Sequence, residues 1–125
     1  MQYYDELARI ERDGFEIVID KTWEDLNPRD CFDDCVTDID KLCKDIESGK
    51  LDWFMMRVRV FAEGLELSDS YVGGCLYEDA REALTDGLAE DLIFEALVEA
   101  KRRVYSVYKK FAELNERVER EGVEA

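Results

Sequence analysis

Between Leu51 and Ala62, apolar and polar residues alternate with a period of two. Phe54, Met56, Val58, Val60 and Ala62 share one face, and Trp53, Met55, Arg57, Arg59 and Phe61 share the other. That period is the mark of a strand. Glu63-Gly64 then reads as a hairpin turn into Leu65-Glu66-Leu67. Phe15, Ile17 and Ile19 alternate with Glu16, Val18 and Asp20 and predict another strand. Ser68-Asp69-Ser70 and Gly73-Gly74 interrupt the pattern further on, with a short strand expected around Tyr71 to Tyr77.

Elsewhere the period is helical. Tyr3, Leu7 and Ile10 predict a short opening helix to Arg12, stopped by Asp13-Gly14. Asn27-Pro28 fits an N-cap followed by proline at the first helical position, and Gly49 fits a C-terminal stop. Between them, counting 100° per residue from Cys31, the apolar residues Phe32, Cys35, Val36, Ile39, Leu42, Cys43 and Ile46 fall within a stripe of roughly 120°, which predicts one helix from Pro28 to Ser48. Glu78 to Thr85 predicts a further helix, ended by Asp86-Gly87.

A long helix is predicted from Leu88 to Arg120, a stretch free of proline and glycine. Ile93, Leu97, Ala100, Val104, Val107, Phe111, Leu114 and Val118 recur along it at 4-3 spacing. That seam is longer than a small body needs, so the helix is expected to project. The order α-β-α-β-β-α-α gives an α+β fold. A small antiparallel or mixed sheet of three to four strands packs with helices in one domain spanning residues 1–125.

Charge changes the picture next. The 125 residues include 32 Asp or Glu, 17 Lys or Arg and no His, for a net charge of −15. Residues 1–100 hold 27 acids and 10 bases, whereas residues 101–125 hold 5 acids and 7 bases. The acidity therefore belongs to the body and is not an acidic tail. Such a charge disfavours nucleic acid and anionic lipid as direct partners. No apolar run reaches the ~18 residues of a membrane span, and the opening residues lack a signal pattern, so a cytoplasmic location is expected.

Cys31, Cys35, Cys43 and Cys75 lack the close C-x₂-C pairs of a structural zinc site. On one helix, Cys31 and Cys43 would stand ~18 Å apart. Buried, reduced thiols are expected, with disulfide and metal as the alternatives and no metal or cofactor implied. Imidazole chemistry is excluded, and the chain has no P-loop, G-x-G-x-x-G, nucleophile elbow or H-E-x-x-H. The run Asp30 to Asp40 lacks the glycine and terminal Glu of an EF-hand loop. Gly73-Gly74-Cys75 reads as a tight turn before a core cysteine. The chain is therefore expected not to be an enzyme, with a carboxylate pair as the remaining catalytic option.

The expected site is the polar face of the Pro28–Ser48 helix, with Asp30, Asp33, Asp34, Asp38, Asp40, Asp45 and Glu47. Carboxylates fixed on a helix can occupy a Lys/Arg groove built for a polyanion. In size, acidity and lack of catalytic motifs, the chain resembles the small proteins that phages and mobile elements direct against host defence, the anti-restriction DNA mimics and anti-CRISPR proteins. That resemblance implies inhibition inside the host cell by occluding a basic, nucleic-acid-binding surface of a partner protein. The segment Lys101-Arg102-Arg103 with Lys109-Lys110 departs from a pure mimic. Its cations are expected in i,i+4 pairs, Glu99–Arg103, Glu113–Arg117 and Glu116–Arg120. The competing class is an assembly module that acts through the 4-3 seam, either as a homodimer or on an acidic surface.

Overall fold

The structure, a computed structural model, describes residues 3–121 except 34 and 36. Four antiparallel strands form one sheet in the order β1 (Tyr4–Arg12), β2 (Phe15–Trp23), β3 (Asp52–Ala62) and β4 (Leu65–Tyr77). Two short helices, α1 (Pro28–Cys31) and α2 (Ile39–Glu47), lie between β2 and β3. A 3₁₀ turn (Ala80–Leu84) leads from β4 into the long helix α3 (Leu88–Arg120). The α+β class, the four-stranded antiparallel sheet and the long C-terminal helix agree with the sequence reading.

The core lies between one sheet face and the first half of α3. Ile17 and Ile19 of β2 stand beside Val60 and Val58 of β3 in register, all of them buried. Phe54 and Met56 continue that face, and Leu92, Ile93, Ala96, Leu97 and Ala100 of α3 cover it. The Ser68 hydroxyl donates to the Ala96 carbonyl at 2.6 Å, which ties β4 to the covering helix.

The expected opening helix is instead β1. Asp13 (φ 57°) and Gly14 (φ 87°) are both left-handed, as a two-residue type I′ hairpin requires. Glu63 (φ 50°) and Gly64 (φ 78°) make the same turn between β3 and β4. A bulge between Glu6 and Ala8 shifts the register of β1, so its apolar residues Leu7, Ala8 and Ile10 lose strict alternation and imitate helical spacing.

The expected Pro28–Ser48 helix is broken into α1 and α2. Asn27 caps α1 as anticipated, its side chain accepting from Arg29 N at 3.0 Å, but Phe32 is already extended (φ −124°, ψ 148°). Phe32 sits 5.9 Å from the ring of Trp53. The Asp33 carboxylate accepts from Cys35 N at 2.8 Å and the Asp38 carboxylate from Lys41 N at 3.1 Å. Each satisfies a local backbone donor, the competition by which aspartate ends one helix and caps the next.

The expected break in β4 is also absent. β4 runs for 13 residues and absorbs its irregularities as two bulges, one of them at Gly73-Gly74, where Gly74 has φ +67°. The last short helix is reduced to the 3₁₀ turn, capped by Asp79 through Arg81 N at 3.0 Å.

Candidate interaction surfaces

Three regions bear on function: the acidic segment 30–47, the far half of α3, and the polar face of the sheet. In the acidic segment, Asp30, Asp33, Asp38, Asp40 and Glu47 are exposed and Asp45 is half-buried; Asp34 lies outside the described residues. They do not share one helix face, because the helix that would align them is absent. Asp33 and Asp38 spend a carboxylate oxygen on local backbone, and Asp40 pairs with Arg29 at 2.9 Å. The apolar stripe on the same stretch is only partly realised: Ile39 is buried, Leu42, Cys43 and Ile46 are half-buried, and Cys31 and Cys35 are exposed.

The seam of α3 divides sharply. Ile93, Leu97 and Ala100 are buried against the sheet, Ala100 completely. Val104, Val107, Phe111, Leu114 and Val118 continue the same stripe in solvent, with Val104 43% and Phe111 65% exposed. Every residue from 101 to 120 is exposed. At 1.5 Å per residue, the stretch from residue 104 to residue 120 projects about 25 Å beyond the body. Tyr105 and Tyr108 add exposed aromatic surface beside the seam.

Two cations at the root of this arm are accounted for by the body. Lys101 pairs with Asp13 at 2.7 Å, and Arg103 donates to the Leu67 carbonyl at 3.0 Å. Lys101 holds the Asp13 carboxyl below the usual carboxylate range. Arg12 adds a forked pair to Glu90 at 2.8 and 3.1 Å, so the β1–β2 hairpin is fastened to α3 at two points. The expected pairing of Glu99 with Arg103 is therefore replaced. Glu99 takes Arg102 at 3.1 Å, and Arg117 takes Glu121 at 3.6 Å instead of Glu113.

The polar sheet face holds a charge cluster that sequence reading missed. Asp20 is 2% exposed and accepts from Arg57 Nε at 2.9 Å and Nη2 at 2.7 Å, and from Arg59 Nη2 at 3.2 Å. Arg57 also stacks on the Tyr4 ring, its guanidinium carbon 3.4 Å from the centroid. Burial alone would lower the Arg57 pKa; the bonds to Asp20 outweigh it and raise it. The available signal was Arg57 and Arg59 two apart in a strand, with an aspartate on the neighbouring strand. Register decided the partnership, since Asp20 stands directly opposite Arg57.

Glu24 is a second buried acid that had not been singled out. Its carboxylate accepts from Leu26 N at 3.0 Å and from Gly74 N at 2.9 Å, which clamps the loop after β2 to the bulge of β4. Trp53 Nε1 donates to the Leu26 carbonyl at 2.9 Å and holds the same loop. A Cβ at Gly73 would lie 2.8 Å from Glu24 Oε2, so this glycine makes room for the clamp.

An open cleft of about 1190 Å³ is lined by Tyr3, Trp23, Asp25, Asp52 and Asp79, among others. Two of its carboxylates have local partners: Lys21 holds Asp52, and Arg81 holds Asp79 below the usual range. All four cysteines are free thiols. Cys75 is buried as expected, whereas Cys31 and Cys35 are exposed and Cys43 is intermediate. Burial pushes the Cys75 thiol up to about 11, which disfavours the thiolate a nucleophile needs. Among the described residues, no group of three or more His, Cys, Asp or Glu is placed to hold a metal ion, and no helix is long and apolar enough to cross a membrane. Comparison with protein-family models, curated proteins and solved structures finds no match to the chain.

Proposed function

We propose that this chain is a non-enzymatic protein-binding module that makes its functional contact through the projecting half of α3. The observation that carries this reading is the exposed continuation of the seam: Val104, Val107, Phe111, Leu114 and Val118 lie on one helical stripe with none of the described residues of the body packed on it. Scattered surface apolar residues are ordinary, but a contiguous stripe at 4-3 spacing marks a contact surface. An unsupported helix of this length is also marginal in water, so a partner would stabilise the arm that it binds. The test is affinity capture from a cell lysate with the wild type and with the double variant Val104→Glu, Phe111→Glu. The variant is expected to lose the captured partner while its circular dichroism stays unchanged. Undiminished capture by the variant would sink the reading.

A second reading rests on the exposed carboxylates of segment 30–47 together with the −17 net charge of residues 1–100. In that reading the acidic body covers a basic surface of a partner protein, such as the nucleic-acid-binding surface of a host-defence machine. Lysine substitutions belong at Asp30, Asp40 and Glu47, which spares the backbone bonds of Asp33 and Asp38. Binding that survives this triple reversal, and does not weaken as salt is added, rules the acidic reading out.

A further inference from the structure

We infer that the surface covering the α3 arm is the arm of a second copy of this chain, running antiparallel to it. The inference rests on the proposal that the arm is the contact element, and it names the occupant. The sheet lies on one side of α3 only, the side of the seam. Ile93, Leu97 and Ala100 rest on the sheet, and Val104, Val107, Phe111 and Leu114 continue their stripe. A straight helix drifts only ~20° per heptad from such a seam, so over the two heptads from Ala100 to Leu114 the stripe still faces the side on which the sheet lies. The arm therefore overhangs the end of the sheet, with an open layer beneath it that continues the sheet layer.

A second arm has the dimensions of that layer. Packed helices lie 8–10 Å apart, about the separation of a helix from the sheet it covers. Antiparallel pairing places the second arm under the first. The second copy's sheet then lies on the opposite layer, beyond the tip of the first arm. Each body fills the position that the other leaves vacant, and the contact closes on a two-fold axis. Parallel pairing fails sterically. It would put each sheet, which lies on the seam side of its own helix, into the volume of the other copy's α3.

The same constraint sets the register. The arm of one copy must end before the buried stripe of the other begins at Ala100. The pairing that satisfies this puts Val107 on Val118 and Phe111 on Leu114, each twice by symmetry. Val104 then lies near Glu121. The exposed parts of the seam, with Tyr108, offer on the order of 500 Å² of apolar surface per copy. With the stems of Lys110 and Arg117, that approaches the ~800 Å² per partner of a standard specific interface. In this register Lys110 and Arg117 of opposite copies face each other on the flank, which weakens the pair and provides a lever for testing it.

The test is the solution mass of the full chain by light scattering and sedimentation, under reducing agent so that the exposed Cys31 and Cys35 contribute no disulfide. Wild type is expected to pass from 14.6 kDa to twice that mass as concentration rises through the micromolar range. Phe111→Glu, at a position exposed in the free chain, is expected to stay monomeric with an unchanged fold. Lys110→Glu replaces two like-charge contacts by two ion pairs, so it is expected to tighten the dimer about fivefold. A wild type that remains monomeric to several hundred micromolar overturns the self-pairing, and leaves the arm's role to the capture experiment. A dimer that Phe111→Glu fails to dissolve is held by another surface; it overturns the self-pairing of the arms and again leaves the arm's role to the capture experiment. A dimer that Lys110→Glu leaves unchanged or loosens overturns the antiparallel register.

Discussion

The two halves of α3 carry the same seam and meet opposite fates. From Leu88 to Ala100 the stripe is fully built into the core; from Lys101 to Arg120 it stands in solvent. Nothing in the spacing changes at residue 101. What changes is that the sheet ends, and Lys101 and Arg103 fasten the helix to the body at that boundary. Periodicity thus reports which face of a helix is apolar. It takes the dimensions of the neighbouring element to say how much of that face is covered.

The contrast can be broken most directly by truncating one side chain in each half. Ile93→Ala opens a cavity between α3 and the sheet and is expected to cost about 3 kcal/mol in denaturant unfolding. Phe111→Ala, under the same conditions and dilute enough to keep the chain monomeric, is expected to stay within about 0.5 kcal/mol of wild type. Equal losses at the two positions would mean that the arm packs on the body after all.

A titration sharpens the same contrast. Cys75 keeps its proton in the folded state to about pH 11, whereas its ordinary value is 9.0. The raised value means that its stabilising contribution is complete below pH 9 and is lost as pH rises through the folded value. Unfolding free energy should therefore fall by up to about 2 kcal/mol between pH 9 and 11. Cys75→Ala should flatten that slope, while arm variants should leave it intact. Thiol labelling at pH 8 gives the direct counterpart, with Cys31 and Cys35 reacting fast and Cys75 reacting only on unfolding.

Smaller still is Ser68→Ala, which removes the 2.6 Å bond to the Ala96 carbonyl and should cost about 1 kcal/mol. Arg103→Ala, which frees the Leu67 carbonyl at a solvent-exposed position, should have less effect on unfolding. It should nonetheless speed amide hydrogen exchange in the turn of α3 where the arm begins. Protection as strong at residues 104–118 as at residues 92–100 in the dilute monomer would erase the distinction between the halves.

Much of the fold was legible because its elements obey one period each. β3 alternates without interruption, and α3 has neither glycine nor proline. β1 imitates a helix because a bulge displaces Leu7 from its alternation, and because Asp13-Gly14 fits a helix stop as well as the hairpin turn that Glu63-Gly64 also makes. The 28–48 segment was misread for a different reason. Its apolar spacing is helical throughout, but Asp33 and Asp38 bond to nearby backbone, and Phe32 turns away to Trp53. Of the candidate surfaces, the seam was legible residue by residue, although its division at Ala100 was not. The Asp20–Arg57–Arg59 cluster depends on strand register, which one strand's sequence does not contain.

The order of the sheet leaves β1 and β4 as its two unpaired edges. A free edge is a template on which another chain's strand can grow into an aggregate. Here β1 carries Asp5, Glu6, Arg9, Glu11 and Arg12, and β4 carries Glu66 and Asp69 with two bulges that break its line of donors and acceptors. Part of the chain's acidity is thereby a guard rail. It opposes strand addition at both margins, so that the proposed association through the helical arm would meet no competition from the sheet edges.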